Sequence, residues 1–261
     1  MIQFGNDKIK EIYHGSDKIK EFYHGSELIY TAHDSRGYWV HKDTGVKTYF
    51  ELDDPSIEDG IMSSPSWKRN CAEVQIPSGV TGLGIDCFNG SSLTSVTLPE
   101  SVTSLGLYCF SWCASLTSIT LPESVTILGD MCFSNCSSLS SITLPVGVTS
   151  IGNECFYNCT SLTSVTLPES VTILGNYCFG SCSSLTSIDI PVGVTSLGDS
   201  CFNGCAPLTL ATVLPAIPPS LGVEVFDNVH TSFNIKVYTP YVDDYKTATD
   251  WSAYADKITA I

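Results

Sequence analysis

The sequence has little positive charge, and a long stretch of it has none. Lysine and arginine together number 12 against 27 acidic residues, which gives a formal net charge of −15. Neither cationic residue occurs from Asn70 to Ile235. Nucleic-acid backbones and anionic membrane surfaces are bound mainly through lysine and arginine, so this balance argues against both kinds of partner.

Several signals of export and of catalysis are also missing. No apolar run reaches the length of about 18 residues that a membrane-spanning helix needs, so no membrane insertion is expected. The first residues, MIQFGNDKIKEIY, lack the cationic and apolar regions of a secretory signal, so we expect a full gene product starting here to avoid the signal-peptide route. Glycine-rich phosphate loops and Ser/His/Asp signatures are absent, and the histidines have no metal-ligand spacing. We therefore expect no catalytic residue, no metal site and no cofactor.

The central part of the chain repeats with a fixed period. The leucine that opens each LTSVTLP-like segment recurs every 23 residues, at Leu93, Leu116, Leu139, Leu162, Leu185 and Leu208. An earlier, weaker unit begins near Cys71 and is one residue shorter. The stretch after each leucine alternates polar and apolar residues, which predicts a short strand that ends at the following proline. A glycine farther along each unit, such as Gly106 or Gly129, predicts a turn on the return path.

Units of this size are too small to bury their own apolar side chains. Stacked units share one continuous core, to which the leucine and the Val or Ile of each strand contribute. Equivalent strands then lie roughly 4.8 Å apart in a parallel ladder. The sequence therefore predicts a strand-rich solenoid of the α/β class with a parallel β ladder, and its period lies in the range of leucine-rich repeats.

One unit, residues 116–136, reads LTSITLPESVTILGDMCFSNC. It resembles the pattern L-x-x-I-x-I-P-x-x-V-x-x-I-G-x-x-A-F-x-x-C of BspA-like leucine-rich repeats of the Treponema pallidum type, and the resemblance covers residues 71–210. Cysteine replaces the family's usual alanine before phenylalanine in every unit. The resemblance implies extracellular binding or adhesion without catalysis, although a repeat fold by itself supports many functions.

The N-terminal part of the chain holds a second, shorter repeat. Its decads are GNDKIKEIYH, GSDKIKEFYH and GSELIYTAHD, in which turn residues alternate with strand-forming residues. They predict a small β-meander over residues 1–34. The decads resemble the I-x-x-I-Y-x-G-S repeats at the start of phage and prophage tail-associated proteins, which implies a virion setting. Residues 1–34 are thus the candidate region for a homo-oligomer or for docking onto a virion partner, and residues 35–70 are predicted to connect them to the first coil.

Residues 211–261 are predicted to cap the solenoid. Apolar residues recur there near helical spacing, at Tyr241, Tyr245, Ala248, Trp251, Ala255 and Ile258. Charged residues stand between them, so the pattern predicts one amphipathic helix that covers the last open coil. Without such a cap the coil would expose core and an unpaired strand edge. The segment VYTPYVDDYKTATDWSAYADKITAI also resembles the C-terminal end common in BspA-like proteins.

Nearly all of the 12 cysteines fall into two columns. One column precedes the phenylalanine of each unit, and the other lies four residues farther on; they comprise Cys87, Cys109, Cys132, Cys155, Cys178 and Cys201, and Cys113, Cys136, Cys159, Cys182 and Cys205. Reduced cysteines that pack as small buried hydrophobes are the favoured interpretation. Disulfides between adjacent coils and metal-binding thiolates are the alternatives. No histidine or asparagine recurs beside a cysteine, so no cysteine nucleophile is expected.

A broken column of glutamates follows the strand-ending prolines. It consists of Glu100, Glu123 and Glu169, interrupted by Val146 and Val192. At strand spacing Glu100 and Glu123 would lie about 5 Å apart, which suits a retaining glycosidase or two calcium ligands. The interruptions, and the lack of companion Asp or Asn residues, favour solvated turn residues. A carbohydrate-active enzyme is therefore the least favoured alternative.

The outward side of the predicted strand ladder is the candidate binding surface. It comprises Ser95, Thr97, Ser118, Thr120, Ser141, Thr143, Ser164, Thr166, Ser187 and Asp189. These are either soluble strand residues that face water or a surface that recognises a protein or a glycan on a bacterial surface.

These observations favour a non-enzymatic recognition or adhesion module. The leading hypothesis is a phage tail or virion-associated host-binding protein. The alternative is a bacterial cell-surface or secreted adhesin of the BspA type, so the expected location is the virion, the cell surface or the extracellular space.

Overall fold

The structure is a computed structural model that describes residues 2–4, 7–14, 17–24, 27–31, 37–41, 47–50, 57–63, 65 and 68–261. The chain divides into two compact units, residues 1–36 and residues 37–261. In the described residues, no helix has the length and apolar character that crossing a membrane requires.

The first unit is a four-stranded antiparallel sheet. Its strands pair in the order of the sequence and comprise Ile2–Phe4, Asp7–His14, Asp17–His24 and Glu27–Thr31. The register pairs Asp7 with His24 and His14 with Asp17, so each long strand holds the strand-forming part of one decad. This sequential antiparallel arrangement is the β-meander that the decads predict.

The second unit opens with an antiparallel hairpin, Gly37–His41 and Lys47–Phe50. The first of these strands also pairs antiparallel with Cys71–Gln75, which in turn pairs parallel with Ser95–Thr97. The strand that begins at Cys71 is thus the point at which antiparallel pairing changes to the parallel pairing of the solenoid. A short 3-10 helix, Lys68–Asn70, leads directly into it.

A nine-stranded sheet, here called the long ladder, runs along one side of the solenoid. Each strand is two residues long, and the strands in chain order are Ile57–Glu58, Ile61–Met62, Gly82–Leu83, Ser104–Leu105, Ile127–Leu128, Ser150–Ile151, Ile173–Leu174, Ser196–Leu197 and Ser220–Leu221. All neighbours pair in parallel except the first two, which form an antiparallel hairpin. The second residue of most of these strands is a buried Leu, Ile or Met.

The glycine that follows each strand of the long ladder is required by close packing. A Cβ atom on Gly129 would lie 2.7 Å from the carbonyl carbon of Gly106, and one on Gly106 would lie 2.8 Å from that of Gly84. Real Cβ atoms do not approach backbone so closely. None of these glycines has a positive φ. The predicted turn is present, since the Cys109 N–H donates to the Gly106 oxygen at 3.2 Å and the Cys132 N–H donates to the Gly129 oxygen at 3.3 Å. Glycine is required there because it lets successive coils touch.

The strands that the LTSVTLP-like segments predict are present, but they form separate groups. Ser141–Thr143 pairs in parallel with Ser164–Thr166. A second group contains Ser187–Ile190, Leu210–Val213, Asn234–Val237 and Ile258–Ala260, all in parallel. In the unit that opens at Leu116 the corresponding residues 118–120 form no strand.

A stack of phenylalanines fills the third side of the coil. Successive rings are nearly parallel, with centroids 5.3–5.5 Å apart, and the stack comprises Phe88, Phe110, Phe133, Phe156, Phe179, Phe202 and Phe226. All seven rings are buried. The stack forms one continuous core with the leucines and with both cysteine columns.

Two corner residues of each coil flank this stack in left-handed backbone conformation. One precedes the first cysteine, such as Met131 at φ 55°, and the other precedes the second, such as Asn135 at φ 61°. Their N–H groups donate forward to the next coil, from Met131 to the Asn153 oxygen and from Asn135 to the Tyr157 oxygen, both at 2.8 Å. On the long ladder the bonds run in the other sense, for example from the Gly129 N–H to the Leu105 oxygen at 2.8 Å.

The C-terminal cap differs from the single amphipathic helix that the spacing predicts. The segment forms a 3-10 turn, Thr239–Tyr241, a six-residue α-helix, Val242–Thr247, a second 3-10 helix, Ser252–Lys257, and the final strand, Ile258–Ala260. Ala248 has extended backbone and ends the α-helix. The helical cap is confirmed, but its α-helix is shorter than the spacing predicts.

Three of the six residues predicted to close the core are buried, and the other three, Tyr241, Ala248 and Ala255, are half-buried. Tyr245, Trp251 and Ile258 are buried. The Tyr245 hydroxyl donates to the Pro215 oxygen at 2.9 Å, and the Trp251 Nε1–H donates to the Pro219 oxygen at 2.7 Å.

Candidate recognition surface

The ten predicted surface residues are all exposed and share one side of the solenoid. We call them the hydroxyl face: Ser95, Thr97, Ser118, Thr120, Ser141, Thr143, Ser164, Thr166, Ser187 and Asp189. In each strand they flank a residue that points into the core, as Ser141 and Thr143 flank the buried Ile142. Within the described part of the chain, none of their side chains has a hydrogen-bond partner.

Parallel register aligns the hydroxyl face into columns. Ser141 lies beside Ser164, and Thr143 lies beside Thr166. The columns continue beyond the predicted residues: Ser95 lies beside Glu73, and Asp189 lies beside Thr212, which in turn lies beside Lys236. Alignment of the repeats misses these flanking positions, because the outer coils depart from the LTSVTLP pattern. The distance in sequence between these positions and the aligned repeats could have indicated them.

Other hydroxyl groups of the repeats face the preceding coil instead of solvent. The Thr163 hydroxyl donates to the Ser140 oxygen at 3.0 Å, and the Thr172 hydroxyl donates to the Thr149 oxygen at 3.0 Å. The Thr103 and Thr195 hydroxyls each make the same bond at 3.1 Å. These contacts separate the hydroxyls that hold coils together from those of the hydroxyl face, which are free to bind.

A cleft interrupts the hydroxyl face between the units that open at Leu116 and Leu139. It has a volume of about 360 Å³ and is lined by Ser118, Ile119, Thr120, Leu121, Glu123, Ser141, Ile142, Thr143, Leu144 and Pro145. Four of these residues belong to the hydroxyl face. The four aliphatic side chains are buried and form the apolar part of the lining.

The three glutamates that follow the prolines have different surroundings. Glu100, Glu123 and Glu169 are all exposed. Glu169 accepts a hydrogen bond from the backbone N–H of Val192 in the next coil, with an Oε2 to N distance of 3.2 Å. That bond gives Glu169 a structural role, whereas Glu123 is one of the residues that line the cleft.

An unpredicted column of Asp and Asn side chains follows the glycines of the long ladder. Each side-chain oxygen accepts the backbone N–H of the corresponding residue in the next coil, at distances of 2.8–2.9 Å, from Asp130 through Asn153 and Asn176 to Asp199. The 23-residue spacing of these residues was the sequence signal that could have found them. The column is structural, because its acceptors are occupied by the neighbouring coil.

The cysteines are buried thiols. All twelve lie in the described residues, and none of them is in a disulfide. The second column is hydrogen-bonded, since Cys136 and Cys159 each donate to the phenylalanine oxygen of the preceding coil at 3.1 Å. In the first coil Ser91 replaces the cysteine and lies 3.2 Å from the Cys113 sulfur.

Burial raises the pKa of the Cys113 and Cys159 thiols to about 12. It likewise raises the pKa of Cys136 and Cys155. A protonated, buried thiol is neither a nucleophile nor a metal ligand. Among the described residues, no group of three Cys, His, Asp or Glu side chains is arranged to hold a metal ion.

The histidines add no site in the described part of the chain. His230 is exposed, and its Nδ1 accepts the backbone N–H of Ser232 at 3.1 Å. His33, and the side chains of His14, His24 and His41, lie outside what the structure describes.

Comparison with known proteins identifies the repeat. The profile of the BspA type leucine rich repeat region matches residues 66–160 and 105–232, in six copies. These matches cover more than half of the chain. The chain belongs to the BspA-type leucine-rich repeat family. Proteins of this family are in general cell-surface or secreted binding modules, and they are generally not enzymes.

Two solved structures show the similarity at the level of the fold. A leucine-rich repeat protein from T. pallidum is 34% identical with a TM-score of 0.59, over 64% of this chain and 80% of that one. A leucine-rich repeat protein from Bacteroides ovatus is 28% identical with a TM-score of 0.59, over 79% of this chain and 60% of that one. Our chain thus spans less than two thirds of the Bacteroides ovatus protein. No curated protein sequence matches the chain.

Proposed function

We propose that the chain is a non-enzymatic recognition module that binds a protein on a bacterial surface through the hydroxyl face. The observation that supports this proposal is that all ten side chains of the face are exposed and lack partners in the described part of the chain. Several other hydroxyls of the coil, such as those of Thr163 and Thr172, bond to the preceding coil, whereas those of the hydroxyl face remain donors and acceptors available to a ligand. Binding surfaces of this kind are what repeat folds commonly provide.

The shape of the hydroxyl face favours a broad contact. Its residues repeat at the spacing of parallel strands, so a ligand meets several equivalent groups instead of one unique pocket. Each hydrogen bond contributes little, and affinity then comes from many of them together. We expect a macromolecular partner for this reason, and the family's general role in adhesion agrees with that expectation.

The proposal is tested by the binding of the purified chain to intact bacterial cells, measured by flow cytometry. The variant Thr143→Lys/Thr166→Lys places two bulky cations on adjacent strands of the hydroxyl face. Its matched control, Ser150→Lys/Ile173→Lys, places the same charges on adjacent exposed positions of the long ladder. We expect the first variant to lose cell binding and the control to keep it.

The chemical class of the receptor is tested on the same cells. Protease treatment of the cells should abolish binding, whereas periodate oxidation of their glycans should leave it unchanged. The opposite result would assign the hydroxyl face to a glycan. Equal binding by both lysine variants would mean that the hydroxyl face is not the binding surface.

A virion is a second candidate setting for the same recognition activity. The N-terminal decads, which resemble repeats of phage tail-associated proteins, favour it, and residues 1–34 would then provide oligomerisation or docking. The outer strands of that sheet, Ile2–Phe4 and Glu27–Thr31, are each paired on one side only in the described residues, so they offer edges for another chain. Immunogold labelling of induced phage particles would support a virion setting, and labelling confined to bacterial cells would assign the chain to the cell surface.

A further inference from the structure

Four aromatic side chains lie on the turns that carry the phenylalanine stack. We call them the aromatic corner: Tyr108, Trp112, Tyr157 and Tyr177. Trp112 is 61% exposed and Tyr177 is 42% exposed, whereas the other two are half-buried. The Trp112 indole N–H has no hydrogen-bond partner within the described residues. Exposed rings that gather on one side of a protein are typical of a binding site.

The fold does not require rings at these positions. Tyr177 occupies the first corner position of its coil, where Asp86 and Ser200 stand in other coils. Trp112 occupies the second corner position, where Asn135 stands in the next coil, and all five residues have φ between 51° and 61°. In the flanking coils, over residues 86–91 and 200–205, the stacked phenylalanine is the only aromatic residue of the turn. The aromatic corner is thus a local feature that packing does not explain.

Tyr157 and Tyr177 hold each other in place. Their ring centroids are 6.3 Å apart and their planes meet at 82°, which is an edge-to-face arrangement. Both rings lie over Gly180, where a Cβ atom would come within 3.1 Å of Tyr157 Cδ2 and 3.3 Å of Tyr177 Cδ1. The equivalent residue is serine in two other coils, Ser111 and Ser134. Glycine therefore makes room for the pair, and rings that are already oriented lose less entropy when a ligand binds.

Amide groups lie beside these rings. Asn158 follows Tyr157, and its Nδ2–H donates to the Asn135 Oδ1 at 2.8 Å. The Asn135 amide donates in turn to the Ser134 hydroxyl at 3.0 Å. The Asn158 Oδ1 is left as an acceptor without a partner in the described part of the chain. Rings with an acceptor beside them suit a sugar, because its C–H groups contact the negative face of a ring while its hydroxyls donate to oxygen.

Charge and spacing narrow the ligand to an uncharged, extended glycan. Nucleic-acid strands and anionic polysaccharides need cations, and the chain has no lysine or arginine from Asn70 to Ile235. Trp112 lies two coils before Tyr157, and coils follow one another at 5.4 Å along the phenylalanine stack. A sugar unit is about as long as one coil, so one linear chain can reach Trp112 and the tyrosine pair together.

We propose that the aromatic corner binds an uncharged linear polysaccharide that runs along the axis of the solenoid. Trp112 and the tyrosine pair stack on its sugar rings, and the Asn158 Oδ1 accepts a hydroxyl hydrogen. The inference goes beyond the proposed function, because it concerns a second surface on another side of the coil from the hydroxyl face. Since each stacking contact is weak, cell binding remains a measure of the hydroxyl face.

The experiment is affinity electrophoresis of the full chain in native gels that contain a soluble polysaccharide. Galactomannan, hydroxyethyl cellulose and dextran are the uncharged probes, and polygalacturonate is the anionic one. Mobility in each gel is compared with mobility in a gel without polysaccharide. We expect at least one uncharged polysaccharide to retard the chain in a concentration-dependent way, and polygalacturonate to leave its mobility unchanged.

Two variants remove rings without a change of fold, because each introduces a residue that another coil has at the same position. Trp112→Asn copies Asn135, and Tyr177→Ser copies Ser200. Each should weaken binding about tenfold, as is typical when one stacking ring is removed. Tyr238→Ser is the matched control, since Tyr238 is 46% exposed but lies outside the aromatic corner, and it should leave the affinity unchanged. Circular dichroism confirms that all three variants are folded.

Three results would overturn the inference: no retardation by any uncharged polysaccharide, undiminished retardation of Trp112→Asn, or an equal loss in Tyr238→Ser. Sedimentation velocity tests the other occupant, because a dimer that Trp112→Asn dissociates would assign the aromatic corner to a second copy of the chain. The hydroxyl-face variant Thr143→Lys/Thr166→Lys should still be retarded although it loses cell binding. Failure of the polysaccharide test therefore leaves the proposed function standing, and failure of the cell-binding test leaves this inference standing.

Discussion

At several positions of the coil, even one added methyl group would clash with the neighbouring coil. Gly129 lies directly against the carbonyl of Gly106, and Gly152 lies equally close to Gly129. The repeated glycine is therefore a packing residue of the long ladder, and its place in the sequence follows from the distance between coils.

Gly129→Ala should destabilise the protein by roughly 3 kcal/mol, because backbone on the facing coil must move to admit the new atom. Gly90→Ala is the matched control, since a Cβ there meets nothing within 4 Å and only the φ of +68° opposes it. Left-handed backbone costs an alanine about 1 kcal/mol. Urea unfolding followed by circular dichroism measures both, and equal losses would show that close packing is not the reason for Gly129.

The buried thiols make stability depend on alkaline pH. Thiols of the unfolded chain ionise near pH ~8.5, whereas burial keeps Cys113 and Cys159 protonated up to a pKa of about 12. The stabilisation is complete below the unfolded pKa and is lost as pH rises towards the folded one. As the pH rises from about 7.5 to 9.5, each buried thiol should lower the free energy of unfolding by about 1 kcal/mol.

Urea titrations in the presence of a phosphine reductant, repeated across this pH range, test the expectation. Cys159→Ser should reduce the pH dependence of the free energy of unfolding by the contribution of one thiol. At pH 7 the substitution should lower the free energy of unfolding only slightly, because Ser91 occupies the equivalent position in the first coil. Stability that does not change up to pH 9.5 would contradict the buried, protonated state.

At the scale of the element, the column of Asp and Asn side chains fixes the corner after four strands of the long ladder. Asn153 accepts the N–H of Asn176 at 2.9 Å and donates its own N–H to Asp130 at 2.8 Å. The column runs Asp130, Asn153, Asn176 and Asp199, and all four side chains offer the same acceptor oxygen to the next coil.

Asn153→Asp keeps the acceptor oxygen, but it loses the Nδ2–H that donates to Asp130 Oδ2 at 3.2 Å and places two carboxylates side by side. It should therefore lower the free energy of unfolding by about 0.5 kcal/mol. Asn153→Ala leaves the Asn176 N–H without its acceptor and should cost about 1 kcal/mol. Thermal unfolding of both variants provides the measurement. A larger loss for aspartate than for alanine would mean that charge, and not the acceptor, governs this position.

The sequence predicts some of these elements and not others for identifiable physical reasons. The strand around Ile142 is predictable, because one buried residue between two polar ones gives the period of a sheet. The long ladder is not, since strands of two residues such as Ser150–Ile151 are too short to show any period. The cap is over-predicted as helix, because the spacing of Tyr245, Trp251 and Ile258 also fits a chain that passes from helix to 3-10 turn to strand.

The hydroxyl face and its cleft were also predictable from the sequence only in part. Alternation places Ser118 and Thr120 on the exposed side, and the structure confirms that exposure. The same alternation predicts that they belong to a strand, which they do not. Pairing there depends on how neighbouring coils align, and a pattern within one unit does not contain that information.

For the whole solenoid, each coil contacts only the coil before it and the coil after it. Ladder pairs, phenylalanine stacking and hydroxyl tethers all join residues one period apart. The stability of such an array is close to a sum over coils and their interfaces.

Deletion of residues 139–161, one full period, should leave a protein that folds cooperatively with a lower urea m-value, because less surface is exposed on unfolding. Deletion of residues 139–149, about half a period, breaks the alignment of every later column and should prevent folding of the array. Circular dichroism and urea titration distinguish the two. If both deletions unfold the chain, stability depends on contacts beyond neighbouring coils.

The corner residues in left-handed backbone conformation have a further consequence. They include Tyr108, Met131, Glu154 and Tyr177 at one position and Trp112 and Asn135 at the other, so the repeat imposes a conformation there without imposing a side chain. In the core of the coil, by contrast, the buried leucines, phenylalanines and cysteines are each packed against the equivalent residues of neighbouring coils. Mutations can therefore accumulate at these corners while the array stays intact, and surface variants that an immune system or a competing partner would distinguish are expected to differ there first.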